Sequence, residues 1–340
     1  MSGPADGRRL AVLGAGAWGT TLANLLAEKG YAVTLWVHKQ ALVERITRER
    51  ENTLYLPGVP VHANVTLTAH LSELSQQTTV FVSAVPSHAV RTVWGVLGPL
   101  LPQRPLVISA TKGIDPASLH TMSQALHATI PAEKQCRLAV LSGPSFAREV
   151  SQHIPTAVVV AAPDRKVAEA VQQLLSTVVF RVYTNTDVLG VELGGALKNV
   201  MAIAAGVCDG LRFGHNARAA LITRGLAEMA GLGVAMGARA QTFAGLSGMG
   251  DLVLTCTGDL SRNYTVGVQL GQGKTLPEIL RQLRAVAEGV PTASAAVALG
   301  RRYRVEMPIA EHVYAVLHEH MKPHDAVMAL MTRALKREDV

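Results

Sequence analysis

Between Glu192 and Asp209 of the run LGVELGGALKNVMAIAAGVCDGL (residues 189–211), Lys198 is the only charged side chain. The run is apolar and rich in alanine and glycine, the composition of a helix that packs tightly on several sides. An ammonium group held among small apolar residues is destabilised, so its pKa falls and it can exchange a proton near neutral pH. A plainer account buries only the stem and lets the charged head reach water. Three further clusters bear on the choice. Lys112 in SATKGID and the pair Gly143 and Ser145 in LSGPSFARE each follow a short apolar run, around Val107 and Val140. Polar residues directly after a strand sit where open α/β sheets hold their ligands. In TGDLSRNYTVG, Ser261 is placed to cap a helix whose first turn holds Arg262 and Asn263. Free N–H groups, the helix dipole and a planar guanidinium together make a phosphate site.

A fourth cluster is backbone chemistry. GAGAWG, with Gly14, Gly16 and Gly19, matches G-x-G-x-x-G directly after a strand-like run and directly before a helical one. Glycines there permit a tight turn and bring N–H groups against a pyrophosphate at the helix N-terminus, so the unit predicts a bound dinucleotide. The acidic residue expected about 20 positions later to hold a ribose hydroxyl is missing. No carboxylate lies between Glu28 and Glu44, and the second strand ends in WVHKQ, with His38 and Lys39. Without that carboxylate a 2′-phosphate is not repelled, so NADPH is expected to serve at least as well as NADH.

Elements that position these groups follow from the pattern of the chain. Seven short apolar runs, from RRLAVLGAG at the N-terminus to VFRVYT near Val182, alternate with helical stretches such as Trp18–Lys29, which Gly30 stops. Near-continuous apolar strands alternating with helices predict a Rossmann-like, doubly wound parallel sheet over residues 1–188. After about Asp187 the strand signal ends. Long helical patterns such as 217–236 and 307–319 take over, which predicts an all-helical C-terminal domain over 189–340 with a cleft between the halves.

The 340 residues fit two domains, 49% of them hydrophobic and 17% charged, with a net charge of +7. The basic residues are scattered, and RRYR at 301–304 carries no nucleic-acid motif, so an anionic small molecule is favoured over nucleic acid. Cys136, Cys208 and Cys256 form no C-x-x-C pair, which predicts a reducing, cytoplasmic compartment. Arg8-Arg9 followed by LAVLGAGAWGTTLANLLA imitates an export signal or a membrane span, but its glycines, threonines and asparagine break it into strand, turn and helix. The histidines of HEHMKPH (318–324) lie far from every cluster above and fit a solvated helix face, so no metal is expected.

Taken together, GAGAWGTTLA, NTLYLPG, SATKGI, LSGPSFAREV, ELGGALKNVMAIAAG, GLSGMGDLVLTCTG, SRNYTVG and VAEGV occur in the order and spacing of one family. The whole chain resembles the bacterial NAD(P)-dependent sn-glycerol-3-phosphate dehydrogenases. The resemblance implies hydride transfer between NAD(P)H and dihydroxyacetone phosphate, giving sn-glycerol 3-phosphate for phospholipid synthesis, in a homodimer. It makes Lys198 the proton donor and acceptor, and puts Lys112, Gly143, Ser145, Asp251, Ser261, Arg262 and Asn263 at the substrate. It puts Ala17, Trp18, His38, Ala147, Val286 and Glu288 at the cofactor, with Lys112 and Arg262 serving both ligands. Asn199 and Thr255 are further polar candidates, and Asp251 is expected to pair with a lysine.

Two rival functions remain at this point. A β-hydroxy-acid dehydrogenase of similar plan also carries a lysine on its inter-domain helix, but would not combine the SRN turn with Lys112 and LSGPSFA. A redox sensor that had lost catalysis would have lost the lysine or the phosphate turn, and both are intact.

Overall fold

All seven apolar runs are strands in the computed structural model, which describes residues 9–75, 78–283, 286–335 and 337–338. Arg8, of the export-signal imitation, lies outside the described residues. The strands are β1 (Arg9–Leu13), β2 (Ala32–Trp36), β3 (Val65–Thr68), β4 (Thr78–Ser83), β5 (Leu106–Ser109), β6 (Arg137–Ser142), β7 (Thr156–Ala161) and β8 (Phe180–Asn185). They form one sheet in the order β3-β2-β1-β4-β5-β6-β7-β8. Alternate residues of β1 face opposite layers: Leu10 and Val12 join one core, and Ala11 and Leu13 join the other with Phe81, Trp94 and Val107. Burial on both faces is what makes these strands read as continuous apolar runs.

Two details differ from expectation. The strand β3 was not legible, because VTLT is short, threonine-rich and at the edge, where burial is incomplete. The sheet is also not parallel throughout. Strands β1 to β6 are parallel, but β7 runs antiparallel to β6, and β8 is parallel to β7. Between β6 and β7 the only helix is the five-residue Ala147–Ser151, whereas a parallel crossover needs a longer connection. The chain therefore turns back on the side where the ligand clusters lie.

Beyond Asn185 every regular element among the described residues is helical. The central helix, Val188–Gly210, is buried from Gly190 to Cys208. It is long and apolar enough to cross a bilayer, yet 89% of its most apolar window is buried inside the protein. Its glycines admit neighbours at backbone distance. A Cβ on Gly206 would lie 2.1 Å from the Tyr264 carbonyl oxygen, and one on Gly267 would lie 2.0 Å from that of Ile203. This seam clamps the helix Arg262–Gly271, and with it the SRN turn, against the lysine helix. The helices Gly214–Ala235 and Pro308–His318 match the predicted patterns within a few residues. The imitation span resolves into β1, the glycine turn and the helix Ala17–Glu28.

Candidate active site

Lys198 is not a snorkelling lysine. Its side chain is 8% exposed, and its Nζ donates to Asp251 Oδ1 at 2.5 Å and to Thr255 Oγ1 at 2.7 Å. Asp251, 1% exposed, lies where the helical turn Leu246–Gly250 runs on into the helix Asp251–Thr257. Its second oxygen accepts from Lys112 Nζ at 2.7 Å, so Asp251 holds both lysines and not one. Lys112 also donates to the Gly143 carbonyl at 2.9 Å, and Ser145 Oγ donates to that same oxygen. The strand-end loops of β5 and β6 thus meet the helical half at one carboxylate. Gly195, one turn before Lys198, makes room for this. A Cβ there would lie 2.5 Å from Ser142 Oγ and 3.6 Å from Lys112 Cγ.

Electrostatics follow from that geometry. Burial lowers the Lys198 pKa most, Asp251 opposes it, and Lys112 adds to the lowering, leaving it at about 8. The lysine is thereby poised to give or take a proton close to neutrality.

The three glycines of the turn do three different things. Gly14 has φ 103°, and a Cβ there would lie 2.7 Å from the Ala84 carbonyl oxygen. At Gly19 a Cβ would strike the Gly14 carbonyl oxygen, so this glycine closes the helix onto the turn. At Gly16, the N-cap, a Cβ would meet nothing within 4 Å. The middle glycine faces open space beside a helix start, whose first N–H groups have no partner within the helix, which fits a pyrophosphate. Ala17 and Trp18 form that first turn, and the buried Trp18 ring N–H has no partner among the described residues. Ala147 borders the same helix, its carbonyl accepting from Thr21 Oγ1 at 3.1 Å. His38 is exposed at the end of β2, edge-on to Trp36 at 5.8 Å, with Lys39 exposed beside it.

Around the SRN turn, Ser261 caps the helix by accepting from the Tyr264 N–H at 3.2 Å, as its position predicts. Asn263 is turned inward: its Nδ2 donates to Asn199 Oδ1 at 2.8 Å, and its Oδ1 accepts from the Gly289 N–H at 2.9 Å. Arg262 is exposed, and its guanidinium has no hydrogen-bond partner among the described residues. Although the side chain reaches solvent, the protein packed around its guanidinium lowers its basicity, and the Glu288 carboxylate opposes that. Glu288 itself reaches across to the sheet half, accepting from Ser87 N–H at 3.0 Å and from Ser87 Oγ. Val286, just before it, is 38% exposed.

Known proteins match this chain over both halves. Residues 9–168 match the family model described as NAD-dependent glycerol-3-phosphate dehydrogenase N-terminus, and residues 187–328 match the corresponding C-terminus. The chain belongs to the NAD-dependent glycerol-3-phosphate dehydrogenase family. The glycerol-3-phosphate dehydrogenase (NAD(P)+) of Geobacter sulfurreducens is 57% identical over 97% of this chain and 98% of its own length. That of Citrifermentans bemidjiense is 54% identical over 98% and 99%. The crystal structure of the Coxiella burnetii glycerol-3-phosphate dehydrogenase superposes with a TM-score of 0.92 at 38% identity, covering 96% of this chain and 99% of that one.

In this glycerol-3-phosphate dehydrogenase family member, Lys112, Gly143, Ser145, Lys198, Asp251 and Thr255 form one hydrogen-bonded cluster. Ser261 and Asn263 flank Arg262 in the chain, one capping its helix and the other tying that helix to Asn199. Two carboxylate contacts were missed in the sequence. Besides Glu288 and Ser87, Glu192 of the central helix accepts from Ser123 N–H and Oγ, both at 2.6 Å. Each glutamate grips a serine near a helix start in the opposite half, and burial raises the pKa of both. Serine near a helix start is a visible signal, but its glutamate lies 69 or 201 residues away.

Proposed function

We propose that the chain transfers a hydride between NAD(P)H and dihydroxyacetone phosphate to give sn-glycerol 3-phosphate, with Lys198 as proton donor and acceptor. The observation that carries the proposal is the buried Lys198 ammonium, held by Asp251 beside Lys112. When bound, NAD(P)H supplies the hydride, and the residues Gly14, Gly16, Ala17, Trp18, Gly19, Ala147, Val286 and Glu288 fit its site. As the carbonyl carbon gains the hydride, negative charge develops on its oxygen. Lys198 stabilises that charge and delivers the proton that completes the alcohol. In the reverse direction neutral Lys198 takes the hydroxyl proton. Asp251 holds both lysines in place, and the two ammonium groups on one carboxylate leave net positive charge for an anionic substrate. Arg262 takes the substrate phosphate, a remote contact that orients the reacting carbon.

His38 and Lys39 at the end of β2 favour NADPH at least as much as NADH. In this view residues 1–188 hold the cofactor and 189–340 the substrate. The homodimer and the supply of glycerophospholipid synthesis follow from the family resemblance, and a cytoplasmic setting is in keeping with three free cysteines. Loss of NADPH absorbance on adding dihydroxyacetone phosphate tests the reaction. Turnover of a β-keto acid in its place, or binding of the dinucleotide without turnover, would support the rival functions.

A further inference from the structure

The motif NTLYLPG (residues 52–58) takes no part in the chemistry above, yet it lies directly against the glycine turn. Asn52 is 0% exposed. Its Nδ2 donates to the Ala15 carbonyl oxygen at 2.8 Å and to the hydroxyl of Thr20, also 0% exposed, at 2.9 Å. The segment around it is pinned. Asn52 Oδ1 accepts from the Tyr55 N–H at 3.4 Å, and its own carbonyl accepts from Leu56 N–H at 2.8 Å. One helical turn beyond Thr20, Asn24 donates to the Pro60 carbonyl at 2.8 Å and accepts from the His62 N–H at 3.0 Å.

The consequence lies in one peptide plane. The described chain has no cis peptide bond, so the Ala15 carbonyl and the Gly16 N–H point to opposite sides of their shared plane. Asn52 turns the carbonyl inward, and the Gly16 N–H is therefore turned outward. It donates to no group among the described residues, and a Cβ on Gly16 would meet nothing within 4 Å. We propose that Asn52 is a positioning residue for the dinucleotide: it locks the Ala15–Gly16 peptide with its N–H aimed at the pyrophosphate. A flipped peptide would present a carbonyl oxygen to the phosphates, and the buried amide of Asn52 is what opposes that flip. The proposal rests on the NAD(P)-binding function above, toward which it adds a residue outside the glycine motif.

The test is equilibrium binding of NADPH to the full-length protein, by calorimetry or by the change in tryptophan emission, to which Trp18 in the turn contributes. Asn52→Ala should raise the NADPH Kd about tenfold or more, the loss of one charged hydrogen bond. The turnover number at saturating NADPH and the KM for dihydroxyacetone phosphate should stay within a few-fold of wild type. Asn52→Asp, which matches the shape but turns an oxygen toward the Ala15 carbonyl, should weaken NADPH at least as much. It carries the test if the alanine variant does not fold. Thr20→Val, which spares the Ala15 contact, should bind NADPH almost as wild type does. Folded Asn52 variants with unchanged NADPH affinity would overturn the proposal. So would equal losses in NADPH binding, KM for the ketone and turnover, which mark general disruption. A wild-type protein that binds neither NADPH nor NADH would instead overturn the functional assignment beneath it.

Discussion

The glycine turn and the lysine cluster solve opposite problems with opposite materials. The turn recognises an anion with backbone, so its chemistry is local: Gly14, Gly16 and Gly19 lie within one strand–turn–helix. The cluster moves a proton with side chains, and Lys112, Gly143, Lys198 and Asp251 come from four separate segments. A local site depends on backbone shape and on the few side chains, such as Asn52, that hold that shape. A site assembled across the fold depends on charge balance, because each buried charge needs its partner. Substitutions should therefore separate the two regions cleanly.

The largest effect is expected at Lys198. Lys198→Met keeps much of the stem's packing and removes the ammonium. Turnover should fall by roughly 10²–10⁴-fold, the range for a positioned acid or base, and further if oxyanion stabilisation goes with it. The NADPH Kd should stay near wild type, because the glycine turn is intact. A folded Lys198→Met enzyme with turnover close to wild type would remove the lysine from the mechanism. pH sharpens the same point. With a Lys198 pKa of about 8, alcohol oxidation, which needs the neutral amine, should rise as pH climbs through that value. Carbonyl reduction, which needs the ammonium, should fall over the same window. Profiles that are flat there in both directions would assign the proton to another group.

Asp251→Asn should come next. Breaking a buried ion pair costs about 3–5 kcal/mol when one partner is left charged, and here two lysines lose theirs. Thermal unfolding should register that loss, which the fold-wide cluster feels and the local turn does not. Because Asp251 raises the Lys198 pKa, the oxidation profile should also move to lower pH. A variant as stable as wild type, with an unshifted profile, would mean the carboxylate is not the hub.

Arg262→Ala tests the third segment. Losing a charged hydrogen bond costs roughly 1.5–3 kcal/mol, so the KM for dihydroxyacetone phosphate should rise about ten- to a hundredfold. Preference over the unphosphorylated ketone should shrink with it. If the variant keeps that preference, the phosphate is held elsewhere. The smallest effect belongs to the exposed end of β2. His38→Asp or Lys39→Asp should weaken NADPH selectively, by roughly two- to fivefold, the scale of an exposed charge pair. Equal losses for NADPH and NADH would show that neither side chain reads the 2′ position.

Legibility in the sequence followed the same divide. Seven strands could be read because burial on both faces makes them continuous apolar runs, while β3 was hidden by its edge position and threonines. The reversal at β7 was also hidden, since an apolar strand reads alike in either direction. Ser261 was legible as a cap because capping is settled within three residues. The inward bonds of Asn263 were not legible, because its partners Asn199 and Gly289 come from other helices.

By itself the sequence determined the sheet-then-helix plan, the glycine turn, the capped SRN helix and a lone lysine in an apolar helix. Each is governed by residues a few positions apart, through periodicity, capping and φ preference. Only the tertiary structure decided that Lys198 is tied to Asp251 and not to water, that the same carboxylate holds Lys112, and that Asn52 reaches the Ala15 carbonyl. Those contacts span 53, 139 and 37 residues. A charge in a sequence carries no record of its dielectric surroundings or its partner. Both arise when packing removes water and brings distant groups to hydrogen-bond distance, and the same step makes a surface-type residue into an acid with a pKa of about 8.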